Sequence, residues 1–108
     1  MMDAMRATVL HIDDCPNWVQ AGERFEAALR AEGRGDVTVE YRLLSTTAEA
    51  AQTAFAGSPT LVLDDEDLFP SAGRTAELAC RIYRTPSGLA GIPTTAQIVD
   101  AIDRRRQQ

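Results

Sequence analysis

Residues 7 to 12, Ala-Thr-Val-Leu-His-Ile, carry apolar side chains at adjacent as well as alternate positions. A strand with one wet face alternates, so this density predicts a strand buried on both faces and a sheet covered on both sides. The period then changes. Trp18, Val19, Gly22, Phe25, Ala28, Leu29 and Glu32 recur at spacings of three and four, with Glu23, Arg24, Glu26 and Arg30 on the other face. That pattern predicts a helix over 17–32, stopped by Gly33-Arg34-Gly35-Asp36. Residues 37–44 read as a second strand. Ser45 or Thr46 caps an alanine-rich helix running to about Phe55, with Glu49 completing a capping box after Thr46. Leu61-Val62-Leu63 reads as a third buried strand. Asp64 to Asp67 is a polar turn, and Leu68-Phe69 starts a short fourth strand. Pro93 or Thr94 opens a last helix whose apolar positions are Ala96, Ile98, Val99, Ala101 and Ile102. Between Ser71 and Gly91 no period stands out, and Ala76 to Tyr83 reads equally as helix or strand.

The order is β-α-β-α-β-(β)-α. Helices between strands imply parallel pairing through right-handed crossovers, and the third and fourth strands are close enough for a hairpin. The expected fold is a single α/β domain over residues 1–108, a small mixed sheet between helix layers. Its 108 residues suffice for one hydrophobic core.

Charge narrows the function classes. Sixteen acidic against eleven basic residues, all eleven of them arginine, give −5. An acidic domain without a basic stripe is a poor nucleic-acid binder. Arg104 to Arg106 suit the negative end of a helix. No apolar run approaches the ~20 residues of a membrane span. With no signal-peptide pattern at the N-terminus, the expected location is cytoplasmic, where two cysteines point to catalysis, metal binding or burial before a structural disulfide.

The chemistry centres on His11-Ile12-Asp13-Asp14-Cys15-Pro16-Asn17-Trp18, where strand gives way to helix. A thiol there feels the positive end of the helix, which favours thiolate, while Asp13 and Asp14 oppose it. Pro16 suits the first turn of the helix. Cys80, 65 residues on, is a second thiol that meets Cys15 only if the 70–92 stretch folds back over it; otherwise it is a small buried apolar residue. In the first case Arg81 and Arg84 bring positive charge to the site. His11 is a candidate proton acceptor, although a satisfied strand histidine is the simpler reading. Trp18 either shields the thiol and stacks on substrate or begins the helix's core stripe. The run Asp64 to Asp67 lacks the glycine and spacing of a calcium loop and reads as a solvated turn.

These residues resemble the thioredoxin-like superfamily. Cys15-Pro16 ends the first strand, and Gly57-Ser58-Pro59-Thr60-Leu61-Val62-Leu63 is similar to the Gly-x-Pro-Thr lead-in to that family's third strand. Cys15 and Pro59 are 44 residues apart, which also fits. The resemblance covers most of 7–69 and the last helix. It implies a thioredoxin-like three-layer α/β/α fold with an insertion at 70–92. It also implies a cis peptide before Pro59, Pro59 beside Cys15, and the Ser58 backbone pairing with an extended thiol substrate. Two departures stand out: Trp18 occupies the place of the second cysteine of a Cys-x-x-Cys motif, and Cys80 lies in the insertion. The segments Cys80-Arg81-Ile82-Tyr83-Arg84-Thr85 and Gly91-Ile92-Pro93 resemble small actinobacterial thioredoxin-like proteins, some labelled alkylmercury lyase.

The expected function is thiol–disulfide exchange. Cys15 is the nucleophile and Cys80 or an external thiol resolves the intermediate. Trp18, Ser58, Pro59 and Arg81 contact a protein or small-molecule thiol or disulfide. No cofactor, metal, nucleic-acid or membrane partner is expected. A soft-metal or organomercurial thiol site and a non-catalytic interaction module are the alternatives.

Overall fold

A computed structural model describes residues 5–70 and 77–106. Its elements are β1 (Ala7–His11), α1 (Trp18–Ala31), β2 (Val39–Leu43), α2 (Thr47–Ala51), β3 (Thr60–Leu63), β4 (Glu66–Asp67), β5 (Tyr83–Thr85), β6 (Gly88–Ala90) and α3 (Thr95–Arg106). Strands β1 to β4 form a mixed sheet in the order β2-β1-β3-β4, and β5 and β6 form a separate hairpin. The chain is therefore an α/β protein with three helices among the described residues.

Strand β1 is central, and its side chains explain its composition. Ala7 and Val9 join Phe25, Leu29, Ile98 and Ile102 in a core under α1 and α3. Leu10 and Ile12 turn to the opposite face, with Leu44, Ala50, Phe55 and Val62 under α2. Two covered faces demand apolar residues at both parities. Fully burying a side chain such as Phe25 contributes about 1.5–3 kcal/mol to each such core.

The pairing is parallel for β1 and β2, with Ala7 opposite Val39 and His11 opposite Leu43. It is antiparallel for β1 and β3, with Ala7 opposite Leu63 and Leu10 opposite Thr60. The expected parallel crossover into the third strand does not occur. Five residues of α2 rise only about 7 Å, whereas a five-residue strand runs about 17 Å. The connection cannot return along the sheet, so β3 enters from the end where β2 leaves.

Local chemistry sets the remaining boundaries. The Thr46–Glu49 capping box opens α2. The helix stops at Ala51 rather than near Phe55, because the Thr53 hydroxyl donates to the Ala50 carbonyl and accepts from the Phe55 N–H. The acidic turn is shorter than expected. Asp64 and Asp65 alone take positive φ, which short polar side chains tolerate, and Glu66–Asp67 is already strand. The fourth strand thus precedes Leu68. At α1, Asn17 is the N-cap, so Pro16 lies ahead of the helix rather than in its first turn. Thr94 and Gln97 cap α3 reciprocally.

Of the 70–92 stretch, residues 71–76 lie outside the described residues, as does the first residue of the ambiguous segment from Ala76. Residues 77–92 add neither a helix nor a strand to the main sheet. Residues 79–81 run extended against Ser58, and Tyr83 to Ala90 close the β5–β6 hairpin. Among the described residues no helix is long and apolar enough to cross a membrane.

Candidate functional site

Ser58 is the hub. It is fully buried, and its peptide bond to Pro59 is cis. Its hydroxyl accepts from the Ile12 N–H at 3.1 Å, tying the end of β1 to the turn before β3. Its own N–H donates to the Ala79 carbonyl at 2.8 Å, and its carbonyl accepts from the Arg81 N–H at 2.8 Å. Ser58 and Cys80 thus form a parallel bridge. The backbone groups that the resemblance assigned to an extended substrate are occupied by the chain's own residues 79–81.

This bridge brings the two cysteines together. The Cys15 thiol donates to the Ser58 carbonyl at 3.4 Å, and Cys80 contacts Cys15 from the opposite strand of the bridge. That contact holds the Cys80 thiol above its ordinary pKa, first through a hydrogen bond with Cys15. Partial burial and the nearby Asp14 carboxylate act in the same direction. The two sulfurs are unbonded and differ sharply in access: Cys15 is 0% exposed, whereas Cys80 is exposed. The Asn17 side-chain amide also faces the Cys15 sulfur, at 4.0 Å.

Three features that the sequence does not announce hold this arrangement. Gly57 has φ +109°, and a Cβ there would lie 2.8 Å from Arg81 Cβ and 3.1 Å from its Cα. Only glycine lets the 79–81 strand approach so closely. Gly91 does the same for Asn17, whose amide nitrogen would lie 2.3 Å from an added Cβ. Tyr83, in β5, is buried and donates its hydroxyl to the Pro59 carbonyl at 2.5 Å. Burial is the main cause that keeps this phenol protonated well above its usual range.

Arg81 anchors the segment. Its guanidinium pairs with Asp67 at 2.9 Å, donates to the Phe69 carbonyl, and lies 4.6 Å from the centre of the Tyr83 ring. Arg81 and Asp67 side chains are only 8% and 12% exposed. Asp67, which the sequence places in a solvated turn, is the partner of a buried cation.

Two other candidates pack against one another. Trp18 stacks on His11, ring centres 4.3 Å apart and 15° from parallel, and meets Tyr41 edge-on at 5.4 Å. His11 is buried, and its Nδ1 has no hydrogen-bond partner among the described residues. Burial lowers its pKa, partly offset by the Ile12 backbone and by Asp13. Its described contacts run to Trp18 on the α1 side, whereas Cys15 belongs to the α2-side cluster. A groove of about 740 Å³ opens on the α2 face, lined in part by Thr8, Leu10, Arg42 and Val62, and neither cysteine lines it. Among the described residues no group of three or more His, Cys, Asp or Glu side chains is gathered to hold a metal ion.

No family model, curated protein or solved structure matches this chain.

Proposed function

We propose that this protein is a thiol–disulfide oxidoreductase of the thioredoxin-like kind, in which Cys15 and Cys80 cycle between dithiol and disulfide. The observation that carries this reading is the Ser58–Cys80 bridge, which sets an exposed thiol against a buried one. A disulfide requires Cα atoms within about 7 Å and Cβ atoms facing one another. Strand-like pairing across Ser58 supports such an approach, and Cys15 already donates to the same residue. In the cycle an external disulfide is reduced to two thiols while the Cys15–Cys80 disulfide forms, and a reducing thiol reverses it. Asn17 places an amide dipole on the buried sulfur. Arg81 has a structural part in this scheme, fastening the Cys80 strand through Asp67 and Tyr83.

The test is the intact mass of native protein treated with an alkylating agent after mild oxidation, with and without reduction. Both thiols protected until reduction, in a monomer, is the expected result. Two freely alkylated thiols in the oxidised sample would refute the cycle. Two neighbouring sulfurs also suit a two-coordinate soft ion such as mercury(II) or copper(I). Tight mercury binding that needs both cysteines, in a protein that never closes the disulfide, would favour sequestration instead.

A further inference from the structure

Chain position suggests that Cys15, at the end of β1, strikes first. The accessibilities run the other way. Cys15 has no exposed surface, belongs to the α2-side core with Leu10, Ile12, Leu44 and Phe55, and donates its thiol to the Ser58 carbonyl. Cys80 lies on the outer strand of the bridge and is exposed. A disulfide arriving from solvent needs a nearly linear approach of three sulfurs. It can meet Cys80 at the surface, but reaches Cys15 only after the structure around that buried sulfur opens.

Resting on the proposed cycle, we infer that Cys80 is the attacking thiol and Cys15 the resolving one, with small disulfides as the substrate class. The Cys80 thiolate attacks one sulfur of R–S–S–R, forming a Cys80–S–S–R mixed disulfide and expelling RS⁻. The buried Cys15 thiolate then attacks the Cys80 sulfur, forming the Cys15–Cys80 disulfide and expelling the second RS⁻. Two protein thiols are oxidised and one external disulfide is reduced. The two thiol protons go to the two RS⁻ groups. A small thiol or dithiol reductant reverses the sequence by attacking the exposed Cys80 sulfur.

Small substrates are favoured by the same bridge. The Ser58 N–H and C=O, which would otherwise pair with a peptide strand, are both taken by residues 79–81. The high pKa of Cys80 reduces its thiolate fraction, but the thiolate that forms is the stronger nucleophile.

The test uses dithiodipyridine, a small aromatic disulfide whose released thione is measured optically. Wild-type protein should release two thiones per chain and end as the intramolecular disulfide. Cys15→Ser should release one, rapidly, and hold a stable mixed disulfide on Cys80. Cys80→Ser should react more slowly by the equilibrium constant for local opening, on the order of 100-fold for a buried thiol. As a check free of variants, wild-type protein is quenched in acid after substoichiometric iodoacetamide and mapped by peptide mass. The adduct is expected on Cys80. Adduct mainly on Cys15, or a Cys80→Ser protein as fast as Cys15→Ser, overturns the order of attack while leaving the cycle intact. Two stable mixed disulfides on the wild type, with no ring closed, overturn the cycle and this inference with it.

Discussion

Replacing Gly57 by alanine tests whether the Cys80 strand is seated as described. Two terms oppose the added methyl. At φ +109° an L side chain is strained by about 1–3 kcal/mol. The new Cβ would also stand 2.8 Å from Arg81 Cβ, where carbon atoms prefer about 3.5–4.0 Å. Forcing that contact resembles overpacking a core, about 1–3 kcal/mol. If the strand stays, both terms apply, roughly 2–6 kcal/mol in all. If it lifts, the contact is relieved but two backbone hydrogen bonds to Ser58 are lost, each worth about 0.5–1.5 kcal/mol. The contact and the bonds are of similar size, so alanine loosens residues 79–81 by either route. Gly88→Ala is the control. Its φ of +114° is nearly the same, but nothing lies within 4 Å of an added Cβ. Urea unfolding should show Gly57→Ala less stable than Gly88→Ala by about 1–3 kcal/mol, and disulfide closure should slow only in the former. Equal stability and equal closure rates would refute the seating of Arg81 on Gly57.

Arg81→Met should destabilise the fold by about 3–5 kcal/mol in urea titration, because the nearly buried Asp67 carboxylate loses its partner; Asp67→Asn added to that variant should recover part of the loss. His11 gives a pH dependence. Its folded pKa lies below the ordinary 6.5 because burial disfavours the imidazolium, so the native state binds fewer protons than the unfolded one. The stability it contributes is complete above about pH 6.5 and is lost as pH falls through its folded value. His11→Phe, which also removes the unpartnered Nδ1, should flatten the decline in urea midpoint between about pH 7 and 5 relative to wild type.

What could be read from the sequence was local. β1 and α1 announce themselves through a change of period, and the Thr46–Glu49 cap spans four residues. The reversal of β3 was missed because alternation of helix and strand signals a crossover only if the helix is long enough to make one. The site was partly legible: the resemblance implied a cis peptide before Pro59, and the Ser58–Pro59 bond is cis with the Cys15 thiol on the Ser58 carbonyl. Its supports were not, because Gly57 meets Arg81 across 24 positions and Asn17 meets Gly91 across 74. Nothing in the local composition around Asp67 separates a solvated carboxylate from one that binds a buried guanidinium. Exposure was the least legible property. Nothing in the sequence around either thiol separates Cys15, which is buried, from Cys80, which is exposed.

The bridge across Ser58 fixes one more quantity. Two thiols held as neighbours have an effective concentration set by the geometry of the fold rather than by the solution. In the proposed cycle that concentration decides which external thiols can reopen the ring. In that proposed cycle, every contact that steadies residues 79–81, whether Gly57, the Arg81–Asp67 pair or the Tyr83 hydroxyl, would tune the oxidising strength from a distance, with neither sulfur altered.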